Sequence, residues 1–292
     1  MPDKILLLID ANSLIYRSFF ALPPFTAPDG RPTGALYGLA NSLLKILKEI
    51  HPEYVLAAYD RPEPTFREQE FEDYKITRPA TPSDLVSQLK ESKAMMEQFN
   101  IMTYEMPGFE ADDIIATLTQ KYKSRDDLKI AILSGDHDTL QLVEDPKVNA
   151  WIPQKGANNF TVYDEKTVIE KYGVRPDQIP DYKALVGDKS DNIPGVSGIG
   201  PKTAVGIISE FGSIEDFYGL SPAPINSSYK KLIAGKQMAV LSKRLATVRR
   251  DVPLPEVDLS GLKFGIVSKK ELMDYFTSLG FHSLASRLEM IE

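Results

Sequence analysis

Nine acidic residues are the first feature of this sequence capable of chemistry: Asp10, Asp60, Glu110, Asp112, Asp113, Asp136, Asp138, Asp188 and Asp191. Asp136 and Asp138 are two apart, so in an extended segment both point the same way. Glu110 and Asp113 are three apart and share a helical face, at a helix N-terminus whose dipole favours anions. Asp188 and Asp191 are also three apart, in the turn Gly-Asp-Lys-Ser-Asp-Asn. Two like charges about 4 Å apart repel by about 4 kcal/mol at an effective dielectric of 20, so nine gathered carboxylates must protonate or hold cations. The chain has no cysteine and three histidines, His51, His137 and His282. All-oxygen ligation selects hard ions, Mg²⁺ or Mn²⁺. Disulfides, thiolate zinc sites and a cysteine nucleophile are excluded.

The elements that must position these acids are legible as short apolar runs. Lys4–Ile9, Tyr54–Tyr59, Ile101–Tyr104 and Lys129–Leu133 read as strands, and their near-continuous apolar character suits strands covered on both faces. Asp10, Asp60, the Glu110–Asp113 group and the Asp136/Asp138 pair each follow one of them, at the carboxyl end, where open α/β sheets bind ligands. Aspartate also caps helices, but capping alone does not explain four strands out of four. Amphipathic helices lie between, carried by Leu36–Ile50, Leu85–Phe99 and Ile114–Tyr122. The first half is therefore an α/β domain with a mostly parallel sheet. After about Tyr172 the strand signals stop, and helices are expected at Pro176–Gly187 and near 201–211, 228–248 and 269–288.

A glycine-rich hairpin punctuates this second half: Gly195-Val-Ser-Gly198-Ile-Gly200-Pro-Lys202-Thr203. Glycines let backbone amides face a phosphate, and a following helix adds its dipole. A Walker A loop is excluded because Pro201 intervenes, and both it and a dinucleotide fingerprint need a preceding strand. A helix-hairpin-helix that holds nucleic-acid backbone without reading bases fits better. Net charge agrees. The chain carries −7, yet residues 201–250 carry +5, including Lys230, Lys231, Lys236, Lys243, Arg244, Arg249 and Arg250. Setting the nine acids aside leaves a formal +2, so with cations loaded the protein can approach a phosphodiester. The composition is that of a globular protein, and no run of about 18 apolar residues can span a bilayer. The first apolar run is too short for a signal peptide, so the expected location is cytoplasmic, without membrane association.

The stretches LLLIDANSLIYRSFFA, AAYDRPEPTFREQEFEDYKITRP, MPGFEADDIIATL, ILSGDHDTLQLV and LVGDKSDNIPGVSGIGPKTA together resemble the 5′-nuclease domain of bacterial DNA polymerase I, within the flap-endonuclease superfamily. The resemblance covers nearly the whole chain. It implies a PIN-like core over residues 1–172, with an arch near 61–90, then a helical helix-hairpin-helix domain over 173–292. It implies Mg²⁺-dependent cleavage of 5′ flaps and 5′ ends of duplex DNA by a two-metal in-line displacement. Carried over by motif, Asp10, Asp60, Glu110, Asp112 and Asp113 would serve a first metal group, and Asp136, Asp138, Asp188 and Asp191 a second. Lys75 and Arg78 would stabilise charge on the scissile phosphate. Arg17, Arg67 and Tyr74 match positions around the threaded strand, and Gly195, Gly198, Gly200, Lys202 and Thr203 would grip duplex, with K⁺ at the hairpin. His137 stands where relatives often have Lys and is expected to be solvated rather than a ligand. RNA–DNA hybrids, a fused or separate polymerase and a monomeric state belong to the same expectation.

Two rival readings fit the residues less well. A non-catalytic DNA-structure binder on this scaffold predicts eroded acids, whereas all nine are present. A phosphatase of the haloacid-dehalogenase kind wants Asp-x-Asp after the first strand, and here Asn12 takes the second place.

Overall fold

The computed structural model of the protein describes residues 4–154, 159–220, 226–255 and 258–288. The N-terminal half alternates strand and helix as the apolar runs dictate. Strand β1 (Lys4–Asp10) leads into α1 (Ala11–Ala21) and α2 (Gly34–Ile50), and β2 (Tyr54–Tyr59) into α3 (Phe66–Glu70) and α4 (Ser83–Gln98). Then come β3 (Met102–Glu105), α5 (Ala111–Tyr122) and β4 (Leu128–Leu133), followed by a 3₁₀ turn at Asp138–Leu142. A hairpin of β5 (Val148–Pro153) and β6 (Phe160–Tyr163) and the helix α6 (Glu165–Tyr172) complete this half.

The strands form one sheet in the order β3-β2-β1-β4-β5-β6, parallel except for β6. Chain order reverses on either side of β1, so β1 and its neighbours β2 and β4 open a crevice at their carboxyl ends. Side chains alternate strictly across the sheet. Leu6 and Leu8 enter one core cluster, and Leu7 and Ile9 the other.

The second half is helical among the described residues: α7 (Ile179–Val186), α8 (Pro201–Phe211), α9 (Ile214–Gly219), α10 (Ser227–Ala234), α11 (Lys236–Ala246), α12 (Lys269–Ser278) and α13 (His282–Leu288). The expected helix at 228–248 is two helices, broken at Gly235, which forms their shared cap. The expected helix at 269–288 is also two, broken at Gly280, whose φ of 77° a continuous helix cannot accommodate. These helices do not make a separate ball. Residues of α7, α8, α10 and α11 join α5 on one face of the sheet, whereas α12 and α13 join α1, α2 and α4 on the other. Both faces of the parallel sheet are therefore covered, as its continuous apolar strands require. No described helix is long and apolar enough to cross a membrane.

Candidate metal centre and active-site cleft

The crevice is a cleft of about 1090 Å³ that includes Asp10, Asp60, Glu110, Asp112 and Asp136 in its wall. Each acid arrives by a local rule. Asp10 ends β1 and caps α1 through the Ser13 N–H, while its other oxygen accepts from the Ser134 hydroxyl at 2.8 Å. Asp60 follows β2 and accepts the Ala111 N–H at 2.7 Å, which ties that strand end to the start of α5. Glu110 caps α5, placing Asp112 in its first turn. Beyond β4, the Asp136 carboxylate accepts the Asp138 N–H, which starts the 3₁₀ turn. Asp188 and Asp191 follow α7 in a turn closed by paired backbone hydrogen bonds between Asp188 and Ile193.

Crowding sets the electrostatics. Burial, followed by the charges of Asp10, Asp136 and Asp138, pushes Asp112 well above the usual carboxylate range. Its Oδ1 is buried without a hydrogen-bond partner. Asp60 keeps an open surface, yet the surrounding protein desolvates it, and with Glu110 and Asp10 nearby it is pushed up to about 6. Asp138 is raised to about 7 by burial, with Asp136 and Asp191 adding to it against Lys183. Burial also raises Asp10 and Asp136.

The cations that hold these acids come from two directions. Lys75 Nζ donates to Glu110 at 2.6 Å and lies 4.0 Å from Asp191, and Arg78 donates to Asp191 at 2.6 Å. Burial alone would raise Glu110, but Lys75 and Arg67 hold it below its ordinary value. Lys75 has φ of 57°, a left-handed conformation disfavoured for a residue with a Cβ, and its N–H is pinned to the Asp191 carbonyl. Lys183, on α7, bridges Asp138 and Asp188. Burial would depress its pKa, yet Asp138 and Asp188 raise it, so it stays charged. Sequence reasoning missed Lys183; its place five residues before Asp188 was the one available signal.

Several expectations require correction. Asp113 is fully buried, takes both Arg67 nitrogens at 2.8 Å, and accepts the N–H groups of Glu110 and Arg249. Its oxygens are committed to protein partners, so it organises the site rather than joining the ligand set. Arg67 is 2% exposed and also donates to the Leu245 and Thr247 carbonyls; it clasps two parts of the fold and does not face a DNA strand. Tyr74, 4% exposed, donates to Asp191 and packs with Ile193 and Leu245. Residues 66–78 are thus anchored over the site. His137 is half-buried rather than solvated, stacked near Tyr163 and Tyr172 and bonded to the Tyr172 hydroxyl; burial lowers it to about 4. Arg17 lines the cleft.

At the hairpin, Gly198 is exposed with φ of 76°, and Lys231 holds its carbonyl at 3.0 Å. Gly200, Lys202 and Thr203 stand at the solvent-facing start of α8, with Gly200 as its cap. Gly195 is different: it is buried, its N–H donates to Ser242, and a Cβ would meet the Gly187 backbone at 2.3 Å. Its smallness serves a backbone crossing, and its N–H is not offered to a phosphate. The flanking basic charge is also partly neutralised: Lys243 pairs with Asp181, Arg244 with Glu70 and Arg249 with Asp251.

A hard divalent cation fits this donor set. Among the described residues no three acidic side chains already form a ready-made cage. Mg²⁺ does not need one, since it usually keeps several waters and takes one or two carboxylates directly. The unpartnered Asp112 oxygen and the repelling carboxylates around it are what such an ion would satisfy.

Comparison with known proteins agrees. The family model of the 5′-3′ exonuclease N-terminal resolvase-like domain matches residues 5–173, and that of the 5′-3′ exonuclease C-terminal SAM fold matches residues 174–270. The chain is 44% identical over 213 residues to a 5′-3′ exonuclease of Aquifex aeolicus, covering 73% of this chain and 72% of that protein. It is 42% identical over 288 residues to DNA polymerase I of Caldicellulosiruptor bescii, covering 98% of this chain but 34% of the polymerase, about a third of its length. Among solved structures, a T5 5′-exonuclease with bound divalent metal ions (zinc) superposes with a TM-score of 0.67 at 20% identity, over 98% of this chain and 97% of that one, a likeness of fold. With both halves matched in order and the acid-lined cleft at the sheet's switch point, the chain belongs to the 5′-3′ exonuclease family.

Proposed function

We propose that this chain is a Mg²⁺-dependent, structure-specific 5′ nuclease that hydrolyses phosphodiesters at 5′ flaps and 5′ ends of duplex DNA. The observation that carries the reading is the orphaned, desolvated Asp112 among carboxylates converging from β1, α5 and the segment after β4. Asp10, Asp60, Glu110 and Asp112 would hold one cation, and Asp136, Asp138, Asp188 and Asp191 a second; Mn²⁺ would substitute. Bound divalent ions supply Lewis acidity, acidify water and offset charge on a leaving oxygen.

The chain's own residues do the rest. Lys75 is held protonated, because Glu110 and Asp191 overcome the effect of burial, so it acts as a cation and donor rather than a base. With Arg78 it lines the cleft and would neutralise charge developing on the scissile phosphate. Arg17 on the same wall would draw the single strand in. The exposed Gly198 and Gly200, with Lys202, would grip duplex backbone without reading sequence. Products would carry 5′-phosphate and 3′-hydroxyl ends. Primer removal in replication and repair, in the cytoplasm and beside or fused to a polymerase, suits such an activity; RNA in hybrids is a further substrate.

A labelled 5′-flap duplex incubated with Mg²⁺, with Mn²⁺ and with excess chelator tests this. Cutting at the flap junction with either ion and none in chelator is expected. Robust cutting in chelator, or duplex binding with no cutting under any ion, would replace this reading with the metal-independent or the non-catalytic one.

A further inference from the structure

We infer that Gln141 is a positioning residue for the second acid group, tying the main chain at Asp138 to the end of α11; the inference rests on the nuclease reading. Gln141 is 3% exposed and its amide is fully engaged. Nε2 donates to the Asp138 carbonyl at 2.9 Å and to the Ala246 carbonyl at 3.0 Å, while Oε1 accepts the Val248 N–H at 3.1 Å. Only a primary amide of this length supplies two donors and one acceptor in that arrangement. The Gln141 side-chain amide contacts main chain and none of the acid side chains, so its role is exerted through the backbone at Asp138.

The α11 end is a junction rather than a chance neighbour. A helix terminus leaves carbonyls without intrahelical partners. Here Arg67 takes those of Leu245 and Thr247, Gln141 takes that of Ala246, and Asp113 accepts the N–H of Arg249. Arg67 and Asp113 in turn hold Glu110. The five residues 245–249 therefore dock on both acid groups at once, through Arg67 and Asp113 on one side and Gln141 on the other. Further up α11, the buried Ser242 hydroxyl accepts the Gly195 N–H, which connects the same helix to the glycine hairpin. Gln141 is the link by which the placement of that helix reaches Asp138.

The test uses the 292-residue chain. Gln141→Met keeps size and loses every hydrogen bond; Gln141→Glu keeps shape and the acceptor but loses both donors. Three quantities are read: single-turnover cleavage of a 5′-flap duplex across a Mg²⁺ titration, duplex binding in chelator, and melting across the same Mg²⁺ titration. Gln141→Met is expected to cut at least tenfold more slowly, to need severalfold more Mg²⁺ for half-maximal rate and half-maximal thermal shift, and to bind duplex within twofold of wild type. Gln141→Glu should be slower still, because it adds a carboxyl facing two carbonyls beside the crowded acids. A lower melting point with unchanged Mg²⁺ midpoints and wild-type rate would overturn the inference in favour of simple core packing, as would loss of folding in the uncharged Gln141→Met. If wild type itself does not cut, the proposed function fails. The Mg²⁺ midpoint of melting then decides the inference alone, and an unchanged midpoint in Gln141→Met overturns it.

Discussion

The two acid groups sit side by side but are neutralised differently. Glu110 in the first receives Lys75 from an irregular turn, on a residue in a left-handed conformation, with Arg78 from the same turn holding Asp191 nearby. Asp138 and Asp188 in the second receive Lys183 from α7, a buried helix packed into the sheet-covering core. The Lys75 side chain, partly exposed to the cleft, can swing away from Glu110 while its backbone stays anchored, whereas Lys183 cannot move without disturbing the packed core. On the proposed reading the first group would exchange its ammonium for a metal or a phosphate, and the second would keep a positive charge that competes with any metal. Two clusters of the same residue type thus have different chemistry because their counter-cations stand on different scaffolds.

The largest expected effect comes from Asp112, whose buried Oδ1 has no hydrogen-bond partner. Asp112→Asn should reduce single-turnover cleavage by about 10³-fold, an effect comparable to losing a principal electrostatic group elsewhere. It should also raise the melting temperature in chelator, because a desolvated, repelling charge is removed. Calorimetry beside kinetics reads both, and a fall in melting temperature would mean that Asp112 is a stabilising member of the cluster.

Next comes the movable cation. Lys75→Ala should lower single-turnover cleavage by about 10²-fold if Lys75 acts on the transition state. Duplex affinity, which the proposed hairpin contacts would set, should hardly change. Lys183→Met should instead sharpen the contrast by lowering the Mg²⁺ concentration needed for thermal stabilisation, since a fixed competitor is gone. Equal metal midpoints in wild type and Lys183→Met would erase the distinction between the groups.

The pH dependence follows from the raised carboxyls. Asp60, raised to about 6, and Asp138, raised to about 7, bind protons more tightly folded than unfolded. Their contribution to stability is full below the unfolded value near pH 4 and is lost as pH rises through about 6 to 7. In chelator the melting temperature should therefore decline across that window, and Mg²⁺ should flatten the decline by replacing the protons. A melting temperature that rises through the same window in chelator would contradict the assigned directions.

The smallest effect lies at the hairpin. Lys202→Ala should flatten the log–log salt dependence of duplex binding by about 0.9 if that side chain meets a phosphate. An unchanged slope would remove Lys202 from the interface.

Much of this was readable because it is local. An aspartate placed directly after an apolar run must emerge at that strand's end, and all four strands lie where the runs put them. The hairpin and α8 were equally plain from Gly198, Gly200 and Pro201. The β5–β6 hairpin was not. Its first strand alternates buried and half-buried residues at the sheet margin, where Asn149 and Trp151 dilute the apolar signal. The division of labour within Glu110–Asp113 was also hidden, since Arg67, which claims Asp113, lies 46 residues away.

The sequence by itself determined which residues are acids and where each strand delivers them. Those properties depend on side-chain chemistry and on neighbours a few residues apart. Only the tertiary structure decided which acids remain open and which are spent on arginine or lysine. Charge pairing in a desolvated interior is settled by distances of a few ångströms between segments far apart in the chain, as for Lys183 with Asp138 and Arg67 with Asp113.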